Sequence, residues 1–151
     1  TYTLEQGYVE GGDILRINNH FIIGISGRTN ETGAKNLSNI IEKNGGTSEI
    51  AITPENTLHF KSECSLLDEE TILATDNLIK SDFFNKKYRI IKVPKGEETG
   101  ANCLRINEHL LIPKGYDRLL DLVSKDYKIR VLDVTEMEKV DAGLSCLSLR
   151  W

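Results

Sequence analysis

Short apolar runs and one longer amphipathic period follow each other along this chain in a regular order. Asp13 to Asn18 and Phe21 to Ser26 read as two short strands joined tightly at Asn19-His20. Thr29 is of a type that caps a helix, here one running to about Lys43. Ala34, Leu37, Ile40 and Ile41 supply its apolar face and Gly45-Gly46 its stop. Ser48 to Thr53 is the next strand. The sequence then runs through the same order again. Leu58 to Leu67 and Thr71 to Thr75 make a hairpin around Asp68-Glu69-Glu70, a short helix covers Asp76 to Phe84, and Tyr88 to Pro94 is a strand. A third hairpin spans Asn102 to Pro113, with a helix from about Asp117 to Lys125 and a strand from Lys128 to Val134. A turn of helix from Glu136 to Val140 leads to a last strand, Leu144 to Leu149.

The unit is strand-strand-helix-strand, used three times, and the class is α/β. The repetition reaches the residues themselves. Leu15-Arg16-Ile17-Asn18-Asn19-His20-Phe21-Ile22-Ile23 returns about ninety residues later as Leu104-Arg105-Ile106-Asn107-Glu108-His109-Leu110-Leu111-Ile112. Units of this kind expose an apolar face that a neighbouring unit covers. Three of them with one strand over resemble an incomplete ring.

Composition removes several classes of function. With 39% hydrophobic and 28% charged residues the chain is an ordinary globular one, about one domain in length. Its formal net charge is -4, and its lysine groups (Lys86-Lys87, Lys92 to Lys95) are broken by apolar residues, so nucleic acid is not an expected partner. No apolar stretch approaches the ~20 residues of a membrane helix, so no membrane is expected either. Three cysteines without a Cys-x-x-Cys pair argue against a disulfide framework or thiolate zinc site, and for a reducing, cytoplasmic compartment.

The repeat sorts structural from chemical residues. His20 and His109 hold the same place in two copies of one hairpin, which reads as turn or surface; His59 is the histidine left over. Alternation from Leu58 puts His59, Lys61 and Glu63 on one strand face, just after the turn at residues 54–57. Cys103 aligns with Ile14 and reads as packed, and Cys64 sits among apolar neighbours. Cys146 follows Asp141-Ala142-Gly143-Leu144-Ser145, a helix-to-strand junction. Residue logic leaves it open as a nucleophile or as an ordinary small hydrophobe. Glu10-Gly11-Gly12-Asp13 puts two acids around two glycines, either a charged turn or a place where a ligand approaches the backbone. Its counterpart Thr99-Gly100-Ala101-Asn102 keeps the bend and loses both charges. Arg28, between a strand end and a helix start, is either an exposed arginine or a planar fork for a carboxylate.

Taken in order, Glu10-Gly11-Gly12-Asp13, Ser26-Gly27-Arg28-Thr29-Asn30, Leu58-His59-Phe60-Lys61-Ser62, Ala101-Asn102-Cys103 and Asp141-Ala142-Gly143-Leu144-Ser145-Cys146-Leu147-Ser148 resemble the dimethylarginine dimethylaminohydrolase family. That family belongs to the guanidino-group-modifying superfamily, with arginine deiminases and amidinotransferases. The resemblance implies an α/β propeller, or pentein, of which about three units are present. It also implies hydrolysis of an N-methylated arginine to citrulline and an amine, with no metal or organic cofactor. By position, Cys146 matches the nucleophile, His59 the general acid/base and Glu10 the acidic member of the triad. Arg28 matches the arginine that holds the substrate's α-carboxylate, Val140 a residue that contacts substrate through its backbone, and Asp141 lies beside it. A guanidinium is a poor electrophile, which accounts for a thiolate as the attacking group.

The resemblance implies one more thing. Family members carry a further N-terminal stretch, about as long again, while this chain opens at Thr1, and its end at residues 147–151 resembles the family's C-terminus. The expectation is therefore the C-terminal part of a single propeller domain over residues 1–151, with the missing N-terminal half as a partner, as another chain, besides the small-molecule substrate. The alternatives are an arginine deiminase or amidinotransferase of the same superfamily, and a non-catalytic guanidino-binding fragment.

Overall fold

In the computed structural model, which describes residues 2–81, 83–84 and 87–148, the turn chemistry of two asparagines sets the frame of two hairpins. Strand β1 (Ile14–Ile17) pairs antiparallel with β2 (His20–Ile25), and Ile17 lies opposite His20. The turn is therefore Asn18-Asn19, one residue earlier than the spacing predicts. The reason is local: Asn18 takes a left-handed φ of 55°, which asparagine tolerates, and Arg16 Nε donates to its carbonyl at 2.8 Å. The repeat copy does the same, with Asn107 at φ 54° and Arg105 Nε donating to its carbonyl at 3.0 Å.

Helix α1 (Glu31–Lys43) follows β2 and returns the chain to β3 (Thr47–Ile52), which lies parallel to β2. Its N-cap is Asn30, whose side chain accepts the Gly33 N–H at 2.8 Å, and not Thr29. Thr29 is fully buried and its hydroxyl donates to Asp13 instead. Ile23, Ala34 and Ile41 form the small core between helix and sheet, with Ile14, Phe21, Ile25 and Leu37 packed on it.

The same plan recurs twice. Strands β4 (Cys64–Leu66) and β5 (Thr71–Ala74) are antiparallel, α2 (Asp76–Ile79) follows with Thr75 as its cap, and β6 (Arg89–Lys92) is parallel to β5. Strands β7 (Leu104–Ile106) and β8 (His109–Pro113), helix α3 (Asp117–Val123) and strand β9 (Lys128–Leu132) form the third copy. The second and third copies share one core, in which Leu67, Leu73, Ile91 and Val93 meet Cys103, Leu110, Ile112 and Leu119. A buried Glu97 caps α3 from outside it, accepting the N–H groups of Arg118 and Leu119. The chain divides into two compact units, Thr1–Lys61 with the first sheet and Ser62–Trp151 with the other two.

Three expected elements differ. The strand from Leu58 does not form: Phe60–Ser62 is a 3-10 turn, so His59, Lys61 and Glu63 do not share a strand face. The Phe60 N–H is taken by the Asp13 carboxylate at 2.8 Å and its ring is fully buried, which leaves no ladder for the segment to join. The helix expected to Phe84 ends at Ile79, where the Ser81 N–H and hydroxyl both turn back on the Leu78 carbonyl; Asp82 lies outside the described residues. After α4 (Thr135–Glu138), residues 144–147 are turns and not the expected strand, whose last residue, Leu149, lies outside the described residues. Leu144 is inserted between Leu104 and Val134, and the N–H groups of Cys146 and Leu147 fold back on the Gly143 carbonyl. Residues 149–151 at the end of the chain are likewise outside the described residues. Among the described residues no helix is long and apolar enough to cross a membrane.

Candidate active site

Three of the expected site residues meet in the first unit. Glu10 precedes the 3-10 turn Gly11–Asp13, and its own N–H is held by Thr29 Oγ1 at 3.1 Å. Its Oε2 lies 2.6 Å from His59 Nε2, and both its oxygens lie 3.4 Å from Arg28 Nη1. The His59 side chain is 13% exposed, whereas those of Glu10 and Arg28 are 45% and 49% exposed. The imidazole is thus fixed by packing, while the carboxylate and guanidinium remain reachable from solvent.

Electrostatics keeps Glu10 ionised. Its hydrogen bond to His59 holds the carboxyl below the usual glutamate range; burial opposes this, and the Arg28 charge adds to the lowering. A carboxylate only accepts, so in the neutral ring it selects the His59 tautomer protonated at Nε2. The Arg28 guanidinium already faces a carboxylate of its own chain, and its position between strand end and helix start is the one the sequence predicts.

Gly12 explains how the histidine fits. A Cβ at Gly12 would stand 2.5 Å from His59 Cγ, so the ring packs on bare backbone. The two acids of the glycine turn, equivalent by sequence, divide completely in space. Asp13 is fully buried and accepts hydrogen bonds from Ser26 Oγ, Thr29 Oγ1 and the Phe60 N–H, while Glu10 faces outward.

The second unit carries Val140, Asp141 and Cys146 along one stretch. Asp141 ends the turn after α4 with a left-handed φ of 58°, and Val140 beside it is 72% exposed. Cys103 is buried as the repeat predicts and Cys64 as its apolar neighbours predict, while Cys146 is exposed. Burial pushes the Cys103 thiol up to about 12, and its Sγ donates to the Gly100 carbonyl at 3.1 Å. Treating the native protein with iodoacetamide near pH 8 should therefore alkylate Cys146 and spare Cys103 and Cys64. Mass mapping of peptides before and after unfolding checks this; equal labelling of Cys103 and Cys146 in the native state would contradict it.

Asn102 has a part the sequence reading did not assign. It is nearly buried, and its Oδ1 accepts the N–H of Ser145, next to Cys146, at 2.9 Å. A Cβ at Gly143 would stand 2.4 Å from Asn102 Cγ, so the loop before Cys146 lies directly on this amide. The signal was present in the repeat: Asn102 is the counterpart of Asp13, and an amide keeps the acceptor after the charge is lost. Among the described residues no group of three His, Cys, Asp or Glu side chains is placed to hold a metal ion.

A family profile described as "Arginine deiminase" matches residues 1–111. The chain is 36% identical over 146 residues to the N(G),N(G)-dimethylarginine dimethylaminohydrolase of Pseudomonas aeruginosa, covering 96% of this chain and 57% of that protein. It is 30% identical over 151 residues to the protein of the same name from Streptomyces coelicolor, covering 97% of this chain and 55% of that one. The chain thus spans little more than half the length of these relatives. Among solved structures it is similar to the Pseudomonas aeruginosa enzyme, as a cysteine-to-serine mutant complexed with citrulline, with a TM-score of 0.90 and 34% identity over 97% of this chain and 57% of that one. The likeness bears out the α/β-propeller class that the family resemblance implies and with which the repeat is consistent. The chain belongs to the arginine deiminase family, and within it is similar to proteins named dimethylarginine dimethylaminohydrolase.

Proposed function

We propose that the protein carrying this chain hydrolyses an N-methylated arginine to citrulline and an amine, with Cys146, His59 and Glu10 as its catalytic residues. The observation that carries the reading is the cluster of Glu10, His59 and Arg28, at 2.6 Å and 3.4 Å, in a chain 36% identical to a protein of that name. Cys146 Sγ, as thiolate, attacks the central guanidinium carbon and forms a C–S bond. His59 as imidazolium passes a proton to the departing nitrogen, the C–N bond breaks, and a cationic thiouronium remains on Cys146. The neutral His59 then takes a proton from water, the hydroxide oxygen adds to the same carbon, and C–S cleavage returns the thiolate with citrulline as the proton of the added hydroxyl passes to the released amine. Glu10 orients the imidazole and stabilises its charged form. Arg28 receives the substrate's α-carboxylate, and Val140, through its backbone, and Asp141 line the substrate. Each step uses side chains and water alone. Residues 1–151 are the C-terminal part of the catalytic domain in this reading, with the rest of the domain completing the grip on the cation. The free state of all three cysteines fits a reducing compartment such as the cytoplasm.

The match to the arginine deiminase profile supports a second reading, hydrolysis of unsubstituted arginine with release of ammonia. A panel of arginine, methylated arginines and agmatine on the complete protein, reading citrulline, amine and ammonia together, separates the two. Dimethylamine with citrulline is the expected result; ammonia from arginine alone favours the second reading, and no product from any of them sinks both. In the same panel Arg28→Ala should raise KM for carboxylate-bearing substrates about tenfold or more, a charge-assisted hydrogen bond's worth. Agmatine, which lacks the carboxylate, should be little affected, and an equal rise with agmatine removes Arg28 from this role.

A further inference from the structure

We propose that Asp13 is the positioning residue of this site: one buried carboxylate that sets the places of Glu10, Arg28 and His59 at once, through three separate hydrogen-bonded arms. The inference rests on the catalytic reading given above. In the first arm, Asp13 Oδ2 accepts from Thr29 Oγ1 at 2.7 Å, and the same Oγ1 accepts the backbone N–H of Glu10 at 3.1 Å. In the second, Asp13 Oδ2 accepts from Ser26 Oγ at 2.8 Å, and Ser26 Oγ accepts the backbone N–H of Arg28 at 2.9 Å. In the third, Asp13 Oδ1 accepts the N–H of Phe60, the residue after His59, at 2.8 Å. Arg28 and His59 are thus one link away from Asp13, Glu10 is in addition held directly, its carbonyl accepting the Asp13 N–H at 3.0 Å, and no hydrogen bond joins any of their side chains to it.

Chemistry favours a carboxylate for this task. The group is fully buried, and a buried carboxylate persists only where donors satisfy it; here a hydroxyl, a second hydroxyl and an amide do so. Both hydroxyls spend their single proton on Asp13 and so must accept from the backbone, which fixes the direction of each arm. A neutral amide at the same place would offer one acceptor oxygen for three donors. The repeat adds independent support. Asn102 occupies the equivalent place in the third copy, and it too accepts a backbone N–H beside an expected catalytic residue, that of Ser145 before Cys146. One repeat position therefore anchors the loop of the acid/base in one copy and of the nucleophile in another.

Cutting the arms one at a time, in the complete protein, tests the assignment. Ser26→Ala removes the arm to Arg28, and should raise KM for the methylated arginine about tenfold with kcat within about twofold. Thr29→Val removes the arm to Glu10, and should lower kcat about tenfold with KM within about twofold, while Thr29→Ser, which keeps the hydroxyl, restores it. A merely structural Asp13 predicts no such split: both variants would lose active protein in proportion to their melting temperatures, with KM unchanged. That result, or a failure of Thr29→Ser to restore kcat, overturns the proposal. The His59 ring resonances give a readout that survives a wrong function. Should no guanidino substrate turn over, Thr29→Val must still displace the His59 ring resonances and Thr29→Ser must return them to their places; unchanged ring resonances in Thr29→Val overturn the proposal without reference to activity.

Discussion

Replacing Cys146 by serine is expected to abolish hydrolysis, with a loss in kcat/KM on the order of 10³-fold or more, while the fold and substrate binding remain. The guanidinium carbon is deactivated by resonance, and only a soft, ionised nucleophile attacks it at neutral pH; a serine hydroxyl is neither. Cys146 is exposed at its loop, and its backbone N–H is satisfied by the Gly143 carbonyl, so the substitution alters one atom in an open position and should move the melting temperature little. The corresponding serine variants of Cys64 and Cys103 replace a buried thiol by a smaller and more strongly hydrated hydroxyl, and should lower stability with kcat/KM per folded molecule kept. Steady-state kinetics beside thermal melts separates the cases. Retained turnover in Cys146→Ser would remove the covalent mechanism.

Gly12→Ala is expected to lower activity on the order of a hundredfold, although it adds a single methyl group to a residue that performs no chemistry. That methyl would stand 2.5 Å from His59 Cγ and 2.6 Å from Cδ2, well inside contact distance. The ring cannot yield cheaply, because Glu10 holds its Nε2 on one side and the Phe60 N–H, bound to Asp13, ties down the chain on the other. Overpacking of this kind costs about 1–3 kcal/mol of stability. Displacement of a catalytic imidazole by about 1 Å costs on the order of a hundredfold in rate. Gly11→Ala is the control, since a methyl there meets open space; it should leave the His59 ring signals and melting temperature as they were. If Gly12→Ala retains full kcat/KM, the close packing of ring on backbone is not what places His59.

Much of the plan was readable before any contact was known. Period-two runs and a repeated nine-residue hairpin identified the strand-strand-helix-strand unit, because alternation and turn chemistry are local properties. The same repeat separated His59 from His20 and His109, and Cys146 from Cys103, by asking which residues a scaffold position would account for. The errors were also local in origin. Thr29 and Asn30 are both good capping types, and burial of Thr29 against Asp13 decided between them. Asn18 and Asn19 are both good turn residues, and the strand register decided between those.

The sequence by itself determined the α/β class, the repeat, the turn glycines, the family resemblance and the list of groups able to do chemistry. Tertiary structure alone decided how those groups divide the work. Glu10 and Asp13 differ by one methylene and stand three residues apart; one faces solvent beside His59, the other is sealed in with three donors from residues 13, 16 and 47 positions away. The His59 segment offers an alternating pattern that reads as a strand, yet its backbone is claimed by that same buried carboxylate. Hydrogen-bond partners so distant in the chain leave no trace in local periodicity, because each is fixed only when the hairpin, the helix start and the loop after β3 close on one another.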